Sequence, residues 1–296
     1  MKNITKIFLS VITFCFLFSI FSCDKVEGPF KENTENIDTA KCPVPQFPLL
    51  GSVYRKIVIE DFTGHKCVNC PRAHIALKDL ITTYGDTIIG IALHVGYFSE
   101  PSSTGLYTYD FRTPEGTAID QFFHVSDAGL PQGMINRTKY NGSYIIDHQS
   151  WPTAVLPFIG QQPKLAMQII NNYDDDDSSF CTHIKMTFLE NITDTLMFFC
   201  CLTEDSIIKP QKNVDIPVPN DVPAYTHMHV FRDGLNGNFG VTLDSLKTLD
   251  NSTIIKSYFY NLKGKDYKHK NLKIVSFVYK FSTNEILQAE EKRVMP

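Results

Sequence analysis

Two cysteines separated by two residues, Cys67 and Cys70, constrain this chain more than any other feature. They stand between two segments rich in β-branched residues, 53–61 and 87–95, and directly before apolar residues at helical spacing. Those apolar residues are Ala73, Ala76, Leu77, Leu80 and Ile81. This order predicts a β-α-β unit with C-x-x-C at the N-terminus of its helix, a placement typical of redox-active dithiols.

The expected position of the pair also predicts its chemistry. Free N–H groups and the dipole at a helix N-terminus stabilise a thiolate, and His65 and Lys66 add positive charge nearby. We therefore expect Cys67 to be exposed and to be the attacking sulfur. Cys70 lies one turn into the helix, so we expect it to be the shielded, resolving cysteine.

Three interpretations of the pair stay open on the residues alone. The first is a working dithiol and disulfide, which fits the spacing and the helix placement. The second is a permanent structural disulfide, because an exported chain meets an oxidising compartment. The third is a zinc site, whose four ligands would have to be completed by His65, His74 or Cys42.

The stretch IVIEDFTGHKCVNCP resembles the active-site region of thioredoxin-like proteins. Asp61 lies six residues before Cys67, the spacing of the buried acid that assists proton transfer in thioredoxins, and the resemblance carries this role to Asp61. Strand register decides whether Asp61 or its neighbour Glu60 points inward. Pro131, in the sequence Gly-Leu-Pro before a short strand, resembles the cis-proline that faces the cysteine pair in this fold.

The remainder of the first half fits the same order. Residues 133–137 and 142–146 are predicted strands joined by a tight turn at Asn141-Gly142. Residues 148–160 are the predicted closing helix, and residues 96–127 form a partly helical insertion. The thioredoxin-like domain is thus expected over residues 51–162.

Residues 1–22 are predicted to be a lipoprotein signal peptide. Lys2 and Lys6 precede an uncharged run over residues 7–21, which is shorter than the roughly 20 residues of a bilayer span. Its end, Ile-Phe-Ser-Cys, resembles a bacterial lipobox and implies that Cys23 is acylated and anchors the chain in a membrane. Residues 23–50 are a proline-dotted tether that carries Cys42, whose pairing the sequence leaves open.

Residues 163–296 are predicted to be a separate all-β domain, with a boundary at residues 160–164. Strand signals with almost no helical pattern favour an immunoglobulin-like β-sandwich. The predicted strands are residues 165–170, 180–189, 196–202, 225–231, 254–260 and 272–281. Residues 190–195 are predicted to be a hairpin loop, and the register expected across it does not predict a bridge from Cys200 to Cys181. Cys200 and Cys201 are interpreted as buried small hydrophobic residues.

The sequence predicts no metal site and no cofactor. The run of four acids at residues 174–177 is interpreted as a solvated turn, and His227 and His229 as core or interface residues. His94, at the end of a strand, is interpreted as a hydrogen-bonded histidine. The formal charge is −4 for the whole chain, and an acidic chain argues against nucleic acid as a partner.

The combination of a lipobox, EDFTGHKCVNCPRAH, LPQGMINR and a β-rich second half resembles the Bacteroidetes outer-membrane-protein-28 family of lipoproteins. The resemblance implies a lipid-anchored outer-membrane protein that faces the periplasm or the cell surface, in a family for which adhesive roles have been proposed.

Two functions follow as expectations. The first is a lipoprotein that binds exported or extracellular proteins on a thioredoxin-like scaffold. The second is a membrane-tethered thiol-disulfide oxidoreductase that uses Cys67 and Cys70. The residues Val68 and Asn69 between the cysteines, and the lack of a tryptophan before Cys67, favour the first function.

Overall fold

The computed structural model describes residues 41–244 and 248–295, which contain a mixture of helices and strands with strands in the majority. The helices are α1 (Cys70–Tyr84), α2 (Pro114–Phe123) and α3 (Trp151–Ala154). The strands are β1 (Ile57–Thr63), β2 (Ile88–His94), β3 (Gln132–Ile135), β4 (Leu165–Asp174), β5 (Ser179–Phe188), β6 (Leu196–Glu204), β7 (Ile207–Lys212), β8 (Asp221–His227), β9 (Val230–Gly234), β10 (Val241–Thr242), β11 (Thr253–Asn261), β12 (Leu272–Lys280) and β13 (Ile286–Arg293). The predicted mixed α/β class is confirmed.

One eight-stranded sheet runs through both halves of the described chain. Its order is β13-β12-β6-β9-β2-β1-β3, with β10 paired to β6. Strand β1 pairs in parallel with β2 and antiparallel with β3, as expected for the β-α-β unit and the strand that follows it. Strand β9 then joins β2 in parallel through a single pair, Ala92 with Val230, and links the two halves.

The first hydrophobic core lies between this sheet and helices α1 and α3. Ile57 and Ile59 of β1 contact the apolar face of α1, in which Ala73 and Leu77 are buried. Helix α1 begins with a proline in its first turn, where no backbone N–H is required, and its C-cap is Gly85 at a positive φ of 60°. The amphipathic pattern of the sequence therefore sets both the extent and the buried face of this helix.

The segment after β3 is less regular than expected. Asn141 and Gly142 form a two-residue turn with φ values of 50° and 86°, and Tyr140 and Ser143 exchange backbone hydrogen bonds across it, which confirms the predicted tight turn. The predicted strand at residues 142–146 is wrong, because the segment forms only isolated bridges, Ser143 with Tyr140 and Ile146 with Gly133.

The predicted closing helix over residues 148–160 is also wrong. It is divided into 3-10 turns at residues 148–150 and 156–158 around the four-residue α3. Pro152 and Pro157 lack a backbone N–H, and a continuous helix would need a hydrogen-bond donor at each of these two positions. The buried indole of Trp151 in α3 donates a hydrogen bond of 3.0 Å to the carbonyl oxygen of Ile146 and fills the space over Gly133.

The second hydrophobic core lies between two sheets. A three-stranded sheet, β11-β5-β4, covers the part of the large sheet formed by β6, β12 and β13. Phe180, Phe188, Phe198 and Leu272 are fully buried between them. The predicted hairpin loop at residues 190–195 is wrong, because β5 and β6 do not pair and this loop passes from one sheet to the other.

The two cores lie on either side of the predicted boundary at residue 162, but the second half differs from the expected separate sandwich. Its strands β9, β6, β12 and β13 extend the sheet of the first half. Strands β7 and β13 were not predicted, and the strand expected at 225–231 is divided at Met228 and His229 into β8 and β9.

Candidate functional site

Cys67 and Cys70 form a disulfide at the N-terminus of α1. Cys67 ends the loop after β1, as the spacing predicts, but Cys70 is the first residue of the helix and does not lie one turn into it. The expectation that Cys67 is exposed is wrong, because Cys67 is 1% exposed and Cys70 is 0% exposed. The pair lies within the protein and not at its surface.

The loop that carries Cys67 is held closely against residues 96–99. A side chain at Gly64 would lie 2.7 Å from the carbonyl carbon of Phe98, so only glycine fits there. Lys66 N donates a hydrogen bond of 3.0 Å to the Phe98 carbonyl oxygen, and the Lys66 ammonium lies 5.1 Å from the centre of the Tyr97 ring. Lys66 therefore places its charge over an exposed aromatic ring.

The segment that contains Pro131 contacts the disulfide from the opposing side. The Leu130-Pro131 peptide bond is cis, and the Leu130 carbonyl oxygen lies 3.5 Å from Cys67 Sγ. Pro131 is itself buried and directly precedes β3, which pairs with β1. The sheet thus brings Pro131 and the cysteine pair together from segments more than 60 residues apart in the sequence.

A hairpin from the second half of the chain covers the loop. This covering hairpin consists of β7, β8 and the turn between them, residues 207–227. Lys212 N donates a hydrogen bond of 2.9 Å to the His65 carbonyl oxygen, and Val214 N donates one of 2.8 Å to the Val68 carbonyl oxygen. Backbone groups on both sides of Cys67 are therefore occupied by the hairpin.

A buried side chain of the covering hairpin completes these contacts. Gln211 is 0% exposed, and its Nε2 donates hydrogen bonds of 3.2 Å to the Gly64 carbonyl oxygen and 2.9 Å to the Cys67 carbonyl oxygen. At the surface, the Arg72 guanidinium pairs with Asp215 in the turn of the hairpin, with both side chains about half exposed. The buried amide is the stronger contact, because exposed ion pairs contribute little.

Both acids at the end of β1 are buried, and register separates them. Glu60 accepts hydrogen bonds of 2.8 and 2.6 Å from the Arg137 guanidinium, which is 1% exposed. The Asp61 side chain points to the opposite face of the sheet, the face on which α1 packs. Its two carboxyl oxygens have no hydrogen-bond partner among the described residues. Burial raises the pKa of Asp61 to about 8, so its carboxyl is largely protonated at neutral pH.

His74 of α1 joins Asp61 to the covering hairpin. Its Nε2 lies 2.9 Å from Thr63 Oγ1 and 3.6 Å from Asp61 Oδ2, and its Nδ1 lies 2.8 Å from the Tyr225 hydroxyl. Burial lowers the pKa of His74 to about 3, which keeps the imidazole neutral although 16% of its side chain is exposed.

A cluster of buried histidines and aromatic rings lies beside the loop. His94 stacks on Phe111 at 4.2 Å, and His65 stacks on Tyr107 at 5.4 Å. No ring nitrogen of His65 or His94 has a hydrogen-bond partner among the described residues, so the expected hydrogen-bonded His94 is wrong. Burial lowers the pKa of His65 to about 4, which removes the positive charge that the sequence analysis assigned to it.

The remaining cysteines are paired or buried. Cys42 of the tether and Cys181 of β5 form a disulfide, a pairing the sequence did not decide. Cys200 and Cys201 are free and buried, as interpreted from the sequence. Within residues 41–244 and 248–295, no group of three or more His, Cys, Asp or Glu side chains is arranged to hold a metal ion.

The acidic run at residues 174–177 and Cys23 are the remaining features that the sequence singles out. The acids at 174–177 comprise the last residue of β4 and the first part of the turn before β5, where the Asp177 carboxylate pairs with Lys263. Cys23 lies outside the described residues. None of the helices in the described part combines the length and the apolar character that a bilayer crossing requires.

The sequence pattern singles out Cys67, Cys70, Asp61 and Pro131, but it does not indicate the covering hairpin or the contacts of His74. Residues 207–212, IIKPQK, carry a weak strand signal that a proline interrupts. A hydrogen bond between His74 and a tyrosine 151 residues away has no local pattern. Neither contact could be found without the fold.

Comparison with known proteins gives a matching family model and similar solved structures. The family model described as outer membrane protein Omp28 matches residues 117–296. Among solved structures, HBP35 of Porphyromonas gingivalis superposes with a TM-score of 0.59 at 14% identity, over 83% of this chain and 77% of that chain. A domain of the outer membrane lipoprotein Omp28 from Porphyromonas gingivalis gives a TM-score of 0.30 at 21% identity, over 45% of this chain and 88% of that chain. No curated protein matches the chain.

Proposed function

The chain belongs to the Omp28 family of outer membrane proteins, and on this premise we propose that it is a binding protein whose thioredoxin-like half serves as a scaffold. One observation carries the proposal: both sulfurs of the Cys67–Cys70 disulfide are buried beneath the covering hairpin. The second half, proposed as an immunoglobulin-like sandwich fused to the scaffold, supplies that hairpin.

Access is the reason why this observation favours binding over catalysis. Thiol-disulfide exchange requires an external thiolate to approach one sulfur along the disulfide axis. Cys67 is 1% exposed, and the hairpin occupies the backbone groups on both sides of it, at His65 and Val68. A substrate protein would have to displace these hydrogen bonds before it reached the sulfur. The oxidoreductase alternative therefore has no support in the arrangement of the site.

A permanent disulfide has a structural role at this position. It ties the loop after β1 to the first turn of α1, where the asparagine at the N-cap makes no side-chain hydrogen bond to the helix. The covering hairpin contacts this same loop through its backbone. The cross-link thus holds the surface against which the second half of the chain packs.

The location of the protein follows from its family, whose members are outer membrane proteins and include a lipoprotein from Porphyromonas gingivalis. Attachment through acylated Cys23, and exported or extracellular proteins as partners, are parts of the proposal. Mass spectrometry of the mature N-terminus is expected to show an acylated cysteine at position 23. A product that is cleaved elsewhere and carries no lipid would remove the anchor from this account.

The experiment that tests the proposal compares the native chain with a Cys67→Ser/Cys70→Ser variant. In an insulin-reduction assay with dithiothreitol, we expect the native chain to give no turnover above the dithiothreitol background. Outer-membrane vesicles that carry either chain are then tested on immobilised fibronectin, as a probe for extracellular protein, and we expect equal binding. Turnover that disappears in the variant would contradict the scaffold role.

A further inference from the structure

A cavity of about 700 Å³ lies between α1 and residues 225–229. This α1 cavity is lined by apolar residues that include Ile75, Ile81 and Met228, and by polar residues that include Asp61, His74 and Tyr225. Its lining contains neither Cys67 nor Cys70, so it is separate from the disulfide. Its volume falls in the range of roughly 300–1,000 Å³ that small-molecule sites occupy.

The walls of the α1 cavity are apolar and partly open to solvent. Ile75 and Ile81 of α1 form one side, and Met228 forms part of the other. Ile75 is 55% exposed and Met228 is 42% exposed. Large apolar side chains that face each other across an open cavity favour an apolar ligand, because such a ligand removes their surface from water.

The floor of the α1 cavity is polar but uncharged at neutral pH. Burial raises the pKa of Asp61 to about 8 and lowers the pKa of His74 to about 3, so both groups are largely neutral. Burial also raises the pKa of Tyr225 to about 12 and lowers that of His229. The unpartnered Asp61 carboxyl lies at this floor.

The charges that border the α1 cavity are mainly positive. Lys273 is balanced by Asp205 and Glu291, each 3.2 Å from its Nζ. Lys78 and Arg293 are exposed and form no ion pair with any described residue. Two unpaired cations therefore face a cavity in which no unpaired carboxylate opposes them.

We propose that the α1 cavity binds an amphiphilic anion, such as a medium-chain carboxylate, with its apolar chain against Ile75, Ile81 and Met228. Its carboxylate pairs with a cation at the border of the cavity, Lys78 or Arg293. This inference goes beyond the proposed function, because it assigns a small ligand to a site distinct from the surface that would contact a protein partner.

The chemistry of the cavity distinguishes this ligand from the alternatives. A neutral apolar molecule would fill the same walls but would leave both cations without a partner. An amphiphilic cation would meet the same walls and be repelled by Lys78 and Arg293. The three classes can therefore be separated with probes that share one chain length and differ in the head group.

The experiment titrates the full mature chain, made with Cys23→Ala so that no acyl chain competes, with decanoate, 1-decanol and decyltrimethylammonium. Calorimetry is expected to show one decanoate site, at least tenfold tighter than either other probe. The ¹³C-methyl NMR signal of Met228 is expected to shift with decanoate, while that of Met134, buried on the Glu60 face of the sheet, stays in place.

Two charge-reversal variants complete the test. Lys78→Glu/Arg293→Glu is expected to weaken decanoate binding at least tenfold, whereas Lys139→Glu/Lys164→Glu, with the same net charge and away from the cavity, is expected to change it less than twofold. Equal binding of all three probes, equal loss in both variants, or no saturable decanoate binding would overturn the assignment. Neither cysteine lines the cavity, so decanoate binding by the native chain does not depend on whether the disulfide is redox-active, and this result is separate from the test of the scaffold role.

Discussion

The two faces of β1 hold neighbouring carboxyl groups in opposite surroundings. On one face, Glu60 is paired with Arg137, whose guanidinium lies about 5 Å from the ring centres of Phe277 and Tyr279. On the other face, Asp61 has no hydrogen-bond partner among the described residues and borders the α1 cavity. The closed face pairs its charge within the core, and the open face keeps a buried, uncharged carboxyl beside the cavity.

The Cys67–Cys70 disulfide lies on the same side of the sheet as Asp61. Unlike the α1 cavity, however, it is enclosed by other parts of the protein. The covering hairpin reaches it through Gln211, Lys212 and Val214. A motif that is typical of catalysis is thus enclosed, while a residue pair with no motif, His74 and Tyr225, lies at the cavity. Access, rather than residue type, separates the two sites.

The largest effect is expected when the buried Glu60–Arg137 pair on the closed face is removed. Arg137→Met removes the partner of a fully buried carboxylate, so we expect the free energy of unfolding to fall by about 3–5 kcal/mol. Lys164→Met breaks the exposed pair with Glu190 and serves as the control, with a loss of about 1 kcal/mol or less. Chemical denaturation measures both. Equal losses in the two variants would mean that the paired face does not stabilise the protein.

The pH dependence of stability sharpens the contrast at Asp61. Its pKa is raised from 3.8 to about 8, so between these values the native state binds a proton that the unfolded state lacks, and stability falls as pH rises. The buried histidines have lowered pKa values and give the opposite slope only below pH 6.5. Between pH 6.5 and pH 8, the titration of Asp61 is therefore expected to lower the free energy of unfolding by about 2 kcal/mol.

Asp61→Asn tests this contribution, because an amide of the same shape cannot titrate. We expect the variant to lose the decline between pH 6.5 and 8, measured by denaturation at each pH. Asp120→Asn, at another buried carboxyl, is the matched control and keeps the decline. A decline of the same size in Asp61→Asn would show that Asp61 is already ionised in the folded protein.

The smallest expected effect concerns the cover over the disulfide. Gln211→Ala removes the amide that donates hydrogen bonds to the Gly64 and Cys67 carbonyl oxygens. The closed position of the hairpin is therefore expected to be destabilised by about 1–2 kcal/mol relative to an open one. We expect dithiothreitol to reduce the Cys67–Cys70 disulfide roughly tenfold faster in this variant. Asp215→Ala removes only an exposed pair and is expected to leave the rate within a factor of two. If both rates equal that of the native chain, the hairpin does not control access.

Local patterns in the sequence predicted the β-α-β unit and the place of the cysteines. The apolar spacing in residues 73–81 and the continuous run in β2 specify one helix and one buried strand without reference to the rest of the chain. The turn at Asn141-Gly142 was predicted for the same reason, because positive φ values at both residues favour these residue types.

The pairing of distant strands could not be predicted. Strand β9 joins β2 across more than 130 residues through one residue pair, so no run of residues indicates it. The exposure of Cys67 was predicted wrongly for the same reason, since its cover comes from residues 207–227. The Cys42–Cys181 disulfide spans 139 residues, and the tether around Cys42 has no secondary-structure pattern from which its partner could be inferred.

The reduction potential of the Cys67–Cys70 pair, measured with alkylation of each cysteine in the folded chain, tests the central claim most directly. The buried, covered pair is expected to stay oxidised in glutathione buffers, with a potential below about −300 mV and no labelling of either cysteine in the native state. A potential at or above about −270 mV, the value of thioredoxin, with Cys67 labelled well before Cys70, would contradict the scaffold role.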